Sequence, residues 1–364
     1  MFSYSFFTPD SGINLIAKIA GNACNINCKY CFEKGKDVSS KIMTVDTLKS
    51  AIDSIAGTCT IVFHGGEPLL VGIEHFEKLL VLLLDYYPHK VTAIRIQTNG
   101  TLLDNKWVNL LFQKYKRLNI EIAISLDGTA QMNALRLDYN GQPTFNRVRD
   151  AFKLLEDNGI SAGMLSVISH PCLNFPEEYI ALIESIPNLK FLKINALFNV
   201  ENNKLTQNSI TPIEYSRFII STVKIYISKK LYKKLAIEPF LSILQRINHR
   251  KSRYCNFSNR KCFNYISLYP DGSIGPCDCF SIDSFRIPTM TSKTFEFCID
   301  SYIRSEKISL LKTLMESCKE CDIADFCLGG CVSQRYYFAE NEKLLKDFCV
   351  AKHMLYDEFN GFHL

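Results

Sequence analysis

Short apolar, β-rich runs alternate with amphipathic stretches from Ile13 to about Tyr226, and this alternation constrains the fold more than any other feature of the chain. The runs predict strands at Ile13–Ala20, Cys59–His64, Val91–Thr98, Ile120–Ser125, Ser161–Ser169 and Asn188–Ile194. The stretches predict helices at Thr44–Ile55, Gly72–Leu84, Asn105–Tyr115, Thr144–Asn158, Phe175–Ser185 and Thr211–Ser228. Alternation of this kind implies an α/β fold of parallel βαβ units with right-handed crossovers. Six units suggest an incomplete barrel, with its chemistry at the carboxyl ends of the strands.

Three cysteines follow the first predicted strand in the spacing C-x3-C-x2-C: Cys24, Cys28 and Cys31. A cubic iron–sulfur cluster has four irons, and cysteine thiolates are their usual protein ligands. Three thiolates leave one iron without a protein ligand. Catalytic metal sites keep such a position free to bind a small molecule. A zinc knuckle or a set of buried structural thiols is the alternative, since C-x2-C is also a zinc spacing.

This spacing, with Tyr30 before the last cysteine, resembles the radical S-adenosylmethionine (SAM) enzymes. The resemblance implies that SAM chelates the open iron and that one electron from the cluster cleaves it to a 5′-deoxyadenosyl radical. Gly65, Gly66, Glu67 and Pro68 match the GGEP motif of that family, whose backbone meets the amino group of SAM. The resemblance also implies that the barrel is a partial (β/α)6 barrel.

Four further SAM contacts follow from the resemblance to the peptide-modifying branch of the family. Ser125 and Arg136 are expected to contact the SAM carboxylate or ribose, although Arg136 lies one residue nearer Ser125 than the family pattern has it. A guanidinium makes a two-pronged match to a carboxylate, which is a physical reason for an arginine there. Tyr30 is expected beside the adenine, and Leu197 is expected to close the same pocket. The alternatives are a surface ion pair for Arg136 and core packing for Tyr30 and Leu197.

Charge and cysteine content limit the function classes. The net charge of +5 over 364 residues is mild, and its local concentrations, at 229–234 and 250–253, are interpreted as solvated faces and not as a nucleic-acid patch. Residues 1–12 carry no basic n-region, and no apolar run approaches a membrane span, so we predict a cytoplasmic protein without a membrane partner. Fifteen cysteines in such a chain indicate metal binding instead of disulfides.

The C-terminal third contains a second and denser cysteine pattern. Cys262-x9-Gly272-x4-Cys277 is followed by Cys318-x2-Cys321-x5-Cys327-x3-Cys331 and then by Cys349. This order matches the seven-cysteine pattern of the SPASM extension, which resembles an auxiliary-cluster domain of radical SAM enzymes that act on peptides and proteins. We therefore predict a radical SAM barrel at 1–230, a bridging region at 231–254 and a SPASM domain at 255–364.

Resemblance to the anaerobic sulfatase-maturing enzymes divides these cysteines into two sets. The first auxiliary cluster is assigned to Cys255, Cys262, Cys277 and Cys331, and the second to Cys318, Cys321, Cys327 and Cys349. Eight thiolates suffice for two fully ligated four-iron clusters, so three [4Fe-4S] clusters are expected in all, the auxiliary pair carrying electrons. The sets interleave along the chain, which predicts that cluster loading is coupled to folding. The remaining cysteines, Cys59, Cys172, Cys279 and Cys298, are expected to be structural thiols.

Asp278 follows a predicted cluster ligand, Cys277. Oxidation of a substrate radical releases a proton, and a carboxylate held near a cluster can accept it. In the sulfatase-maturing relatives the aspartate after this cysteine is the proposed base, and we give Asp278 that role as a hypothesis. The alternative is that the carboxylate only caps a turn of the cluster loop.

Two substrate classes fit these motifs. We favour oxidative cross-linking of a ribosomally made precursor peptide through C–C, C–O or C–S bonds. The alternative is oxidation of a cysteine or serine of a sulfatase to formylglycine, against which stand His64, where a glutamine is expected, and the additional thiol of Cys279. Either enzyme needs an electron donor such as flavodoxin or ferredoxin. A non-enzymatic electron carrier explains eight cysteines but neither the open triad nor the glycine motif.

Overall fold

A parallel sheet carries the fold of the computed structural model, which describes residues 3–9, 12–36 and 41–362. Part of the opening segment considered for a signal peptide, residues 1, 2, 10 and 11, lies outside the described residues. The strands are β1 Ile13–Ala17, β2 Cys59–Phe63, β3 Val91–Thr98, β4 Ile120–Ser125, β5 Ala162–Ile168, β6 Leu189–Ala196, β7 Val200–Glu201, β8 Lys204–Leu205, β9 Ala236–Glu238, β10 Tyr265–Leu268 and β11 Ile274–Gly275. In the described part of the chain, nine of them form one sheet in the order β11-β10-β1-β2-β3-β4-β5-β6-β9.

Helices fill the connections between the strands. They are α1 Val45–Asp53, α2 Ile73–Tyr86, α3 Asn105–Val108, α4 Phe145–Asp157, α5 Pro176–Glu184, α6 Pro212–Ser228, α7 Phe240–Ile247, α8 Ile282–Phe285, α9 Phe295–Ile303, α10 Glu306–Thr313, α11 Ala324–Cys327, α12 Val332–Phe338 and α13 Glu342–Phe359. The capping box predicted at the start of α6 is present, with Thr211 and Glu214 each bonded to the backbone of the other. The end of the third predicted helix, Asn109–Lys114, is a π-helical turn. Among the described residues, no helix has the length and apolarity needed to span a bilayer.

Six parallel strands, β1 to β6, stand side by side in chain order. All six agree with the predicted runs to within a few residues, because each run carries apolar residues at the positions that the sheet buries. The α/β fold with a parallel sheet is therefore confirmed. Parallel strands direct their carboxyl ends to one edge, where the triad loop, the GGEP motif and Ser125 all follow a strand.

The C-terminal third extends the same sheet. β10 pairs in parallel with β1, beginning with Asn14 opposite Tyr265, and β11 pairs antiparallel with β10. At the other end of the sheet β9, which lies in the predicted bridging region, pairs in parallel with β6. The cysteine-rich segment thus begins against the first strand of the barrel, which brings its cysteines to the edge of the sheet that carries the triad.

Candidate active site

The triad loop is fixed by hydrogen bonds to distant backbone. Asn27 N donates to Leu137 O at 2.6 Å and Lys29 N donates to Leu135 O at 2.9 Å. The three thiols are close enough to influence one another electrostatically, and burial raises the pKa of Cys24 to about 11. Asn99 Nδ2 lies 3.7 Å from Cys24 Sγ. The structure therefore brings Cys24, Cys28 and Cys31 together, as the spacing predicts.

Both glycines of the GGEP motif are required by close approach to other segments. Gly65 and Gly66 have φ of +88° and +51°, in the left-handed region. A Cβ on Gly65 would lie 2.0 Å from Lys18 Cδ, and a Cβ on Gly66 would lie 2.0 Å from Ala23 O, next to the triad. The backbone after β2 is therefore pressed against the triad loop, as a SAM-binding segment must be.

Glu67 anchors this segment to the next strand. Its buried carboxylate accepts hydrogen bonds from Thr98 Oγ1 at 2.7 Å, from the Asn99 N–H at 2.7 Å and from the Leu69 N–H at 3.0 Å. Burial raises the pKa of Glu67. Because the Glu67 carboxylate already accepts these three hydrogen bonds, we expect Glu67 to contact SAM through its backbone.

Tyr30, Asp127 and Arg136 form a hydrogen-bonded group beside the cysteine loop, in which Asp127 and Arg136 are buried and Tyr30 is half-buried. Tyr30 donates its hydroxyl hydrogen to Asp127 Oδ2 and accepts a hydrogen bond from Arg136 Nη1 at 2.9 Å. Arg136 Nε is buried and has no hydrogen-bond partner among the described residues. Arg136 is thus neither exposed nor fully paired, which favours the predicted carboxylate partner over a surface ion pair.

Asp127 was not singled out by the sequence, although it stands two residues after Ser125 at the end of β4. Its Oδ1 accepts a hydrogen bond from Val167 N at 3.0 Å, and burial raises the pKa of its carboxyl group. Ser125 lies half-buried at the end of the strand, and Leu197 is buried just after β6. The SAM contacts of Ser125 and Leu197 stay predictions.

Asp278 belongs to a charged cluster that we define as Lys18, Glu33, Lys36, His64 and Asp278. Lys18 Nζ, fully buried, lies 2.9 Å from Asp278 Oδ2 and 2.5 Å from Glu33 Oε1. His64 Nδ1 lies 3.0 Å from Asp278 Oδ2, and Lys36 Nζ lies 3.0 Å from Glu33 Oε1. Burial acts to raise the pKa of Asp278, but Lys18 and His64 outweigh it and hold that pKa well below its usual range.

The charged cluster bears on both interpretations of Asp278. A carboxylate that only caps a turn has no need of two side-chain partners from other strands, whereas Asp278 is held by Lys18 after β1 and His64 after β2. Glu33 Oε2 is buried and has no hydrogen-bond partner among the described residues. The sequence analysis singled out Asp278 and His64 but missed Lys18, Glu33 and Lys36. The one available signal was Lys18, a lysine within the apolar predicted strand Ile13–Ala20.

Cysteines of each predicted set interact electrostatically with other members of that set. In the first set, burial raises the pKa of Cys255 to about 11, the thiols that act on Cys255 include Cys331, and Cys277 N donates to Cys262 O at 3.0 Å. In the second set, the Cys318 thiol interacts electrostatically with Cys327, Cys349 and Cys321. Thiols are the usual ligands of iron–sulfur clusters, so these residues are chemically suited to hold them, and the division into two sets stays a prediction.

The four remaining cysteines divide three to one. Cys59, Cys172 and Cys298 are buried in the hydrophobic core, as expected of structural thiols. Cys279 is exposed and lies beside Cys277 and Asp278, with their ligand atoms within 4.8 Å of one another. Cys279 therefore borders the first set and is not a core residue.

Comparisons with known proteins identify this arrangement. A family model described as the radical SAM superfamily matches residues 19–184. A cysteine-type anaerobic sulfatase-maturating enzyme of Clostridium perfringens is 30% identical over 362 residues, which cover 95% of this chain and 95% of that enzyme. The chain belongs to the radical SAM enzymes, in the family of the anaerobic sulfatase-maturating enzymes.

Solved structures agree with this radical SAM assignment. Native anSMEcpe with bound AdoMet and Cp18Cys peptide superposes with a TM-score of 0.80 at 26% identity, covering 96% of each chain. Streptococcus suis SuiB bound to precursor peptide SuiA superposes with a TM-score of 0.62 at 17% identity, covering 92% of this chain and 74% of that one, and shows a likeness of fold alone. The predicted enzyme that binds SAM and iron–sulfur is confirmed, and the electron-carrier interpretation is excluded.

Proposed function

We propose that this radical SAM enzyme matures a sulfatase anaerobically, oxidising a cysteine or serine of the sulfatase to formylglycine. The observation that carries the proposal is the likeness to a cysteine-type sulfatase-maturating enzyme, at 30% identity over 95% of both chains. The substrate is a peptide segment of a protein, and the product is an aldehyde.

Cys24, Cys28 and Cys31 would hold the triad cluster, and SAM bound there would supply a 5′-deoxyadenosyl radical that takes a hydrogen atom from Cβ of the substrate residue. The backbone of Gly65 and Gly66 would receive the amino group of SAM, and both positions require glycine because a Cβ would lie 2.0 Å from Lys18 Cδ or from Ala23 O. Arg136, supported by Tyr30 and Asp127, has an unpaired buried Nε that would pair with the SAM carboxylate.

Asp278 accepts the proton of the second half-reaction. When a cysteine substrate has lost a hydrogen atom from Cβ, removal of one electron and of the thiol proton gives a thioaldehyde, and water converts it to the aldehyde and hydrogen sulfide. Lys18 and His64 keep the Asp278 carboxylate ionised and fixed in position before the proton arrives. A carboxylate with a lowered pKa suffices because oxidation of the radical makes the thiol proton strongly acidic.

The two C-terminal cysteine sets would hold two further four-iron clusters and with them supply an acceptor for the electron released in this step. Four thiolates would be available for each cluster, which suits electron transfer and not substrate binding. A protein of the flavodoxin or ferredoxin type would supply the electron that starts each cycle.

A second candidate, oxidative cross-linking of a ribosomal precursor peptide, is the one that the sequence alone favours. One observation still supports it: a partner of Asp278 besides Lys18 is His64, where a glutamine is expected, and Cys279 lies beside the same carboxylate. The relatives support sulfatase maturation better, because the likeness at 30% identity is to a sulfatase-maturating enzyme and the likeness to SuiB is one of fold.

Mass spectrometry distinguishes the two functions. The reconstituted enzyme, with SAM and a reductant under anaerobic conditions, is incubated separately with a sulfatase-type cysteine peptide and with any short precursor peptide encoded beside it. An aldehyde on the sulfatase peptide that a hydrazide traps is the expected result. Loss of two hydrogens from the precursor, with a gap in its fragmentation and no aldehyde on either peptide, would establish the cross-linking function instead. A matched serine peptide tests which of the two residues is accepted.

A further inference from the structure

Three buried cations lie among the C-terminal cysteines. Lys261, Arg335 and Lys352 are 1%, 3% and 9% exposed. Within residues 3–9, 12–36 and 41–362, no carboxylate forms an ion pair with any of them; the hydrogen bonds of Lys261 and Arg335 go to backbone carbonyls and to a cysteine sulfur. A buried cation without a nearby anion destabilises the folded protein. We therefore expect negative charge close to these three side chains.

Lys261 lies between the two cysteine sets. Its Nζ donates to Cys255 O at 2.9 Å and to Gly330 O at 2.8 Å. The thiols that interact electrostatically with this ammonium group are Cys255, Cys327, Cys262 and Cys331. Three of these belong to the first set and Cys327 to the second, so the ammonium group faces both.

Lys352 reaches the same place from α13, three residues after Cys349. Its Nζ lies 4.5 Å from the ring centroid of Phe257, its Cε would lie 3.4 Å from a Cβ on Gly330, and it interacts electrostatically with thiols of both sets, Cys327, Cys331 and Cys255. An ammonium group over an aromatic face is only weakly compensated, since such a contact contributes about 0.5–2 kcal/mol. The thiolates of the two sets are therefore the anions within its reach.

Arg335 borders the second set from α12. Its Nη2 lies 3.6 Å from Cys349 Sγ, and its Nε donates to Gly329 O at 2.6 Å. A guanidinium stays protonated in proteins, so this charge is permanent. The three side chains form what we call the cationic bridge, which runs from the second set to the space between the sets.

We propose that the cationic bridge of Lys261, Arg335 and Lys352 compensates the negative charge of the two auxiliary clusters and raises their reduction potentials. The inference rests on the proposed assignment of the two cysteine sets to two four-iron clusters. Each one-electron reduction adds a negative charge to a cluster, and a nearby cation in a low-dielectric interior stabilises the reduced form more than the oxidised form. The bridge thereby makes each auxiliary cluster a better acceptor for the electron that leaves the substrate radical.

The test is a redox titration of the three clusters followed by electron paramagnetic resonance. Lys352→Met keeps the length of the side chain and removes its charge, whereas Lys352→Arg keeps the charge. We expect Lys352→Met to lower the reduction equilibrium constant of the auxiliary clusters about tenfold, which is 59 mV for a one-electron couple. Lys352→Arg and the control Lys346→Met, an exposed lysine of the same helix, should keep the wild-type potentials. Arg335→Met should lower the potential of the second-set cluster most.

The iron and sulfide content of each protein distinguishes failure of the cluster assignment from failure of the proposed role of the cationic bridge. Wild-type protein with iron for fewer than three four-iron clusters would overturn the cluster assignment itself and the inference with it. Full iron in Lys352→Met and Arg335→Met with unchanged potentials would overturn only the role of the bridge. If Lys352→Met does not load, loss of iron in that variant but not in Lys352→Arg supports charge compensation, and equal loss in both overturns it.

Discussion

Replacement of Lys18 by methionine is the substitution in the charged cluster that we expect to lower the free energy of unfolding most. Lys18 is fully buried and lies within 3 Å of both Glu33 Oε1 and Asp278 Oδ2. Removing one partner from a buried ion pair leaves an uncompensated charge and costs about 3–5 kcal/mol. We expect about 3 kcal/mol, the lower end, because Lys36 still contacts Glu33 and His64 still contacts Asp278. Methionine keeps most of the aliphatic packing against Gly65.

The melting temperature converts this cost into a measurement. The entropy of unfolding, about 2.1 cal/mol/K per residue, amounts to about 0.8 kcal/mol/K for a chain of this length, so the melting temperature should fall by about 4 °C. The matched control is Lys49→Met, which breaks an exposed pair with Asp53 at 2.7 Å and should leave the melting temperature unchanged. A fall of less than about 1 °C in anaerobic melts of reconstituted Lys18→Met would refute the reasoning, because it would mean that the cluster does not depend on Lys18 for its charge balance.

Three further predictions concern the SAM site and the base. Gly66→Ala should abolish SAM binding and deoxyadenosine release, because its Cβ would lie 2.0 Å from a backbone oxygen; Gly159→Ala, with a similar φ but no atom within 4 Å, should keep both activities. Cys28→Ala should abolish deoxyadenosine formation, measured by chromatography, whereas Cys298→Ala, in the core, should retain it; normal release by the first variant would mean that the triad is misassigned. Asp278→Asn should cleave SAM and yet form no aldehyde, since the amide cannot accept the proton, and full product formation by this variant would end its role as the base.

The parallel sheet was readable from the sequence because its signal is local. Runs such as Val91–Thr98 and Ile120–Ser125 are rich in β-branched residues, of which Ile94, Ile96, Ile122 and Ile124 are buried, and the structure gives both with the predicted bounds. The capping box of Thr211 and Glu214 is equally local, since both residues stand within one helical turn. The π-helical turn at Asn109–Lys114 escaped prediction because it shares the apolar periodicity of an ordinary helix.

The cysteine motifs were also readable, since their spacing is a local pattern of the chain, but their division into two sets came from the family resemblance and stays a prediction. The sequence did not reveal which side chains contact the candidate site residues when the two residues lie far apart in the chain. Asp278 meets Lys18 across 260 positions of the chain, and Arg136 meets Tyr30 across 106. No local pattern reports such pairs, because ion pairs and hydrogen bonds between distant segments depend only on how those segments fold together.

The sequence by itself predicted the α/β class of parallel βαβ units from periodicity and the cysteine triad from spacing, whereas the division of the C-terminal cysteines into two sets came from the resemblance to the sulfatase-maturing enzymes. Tertiary structure alone decided that β10 pairs with β1, so that Asp278 reaches the ends of β1 and β2. It also decided that Lys261, Arg335 and Lys352 share one interior. The physical reason is that burial and charge pairing are properties of the folded interior, where residues far apart in the chain exclude water together.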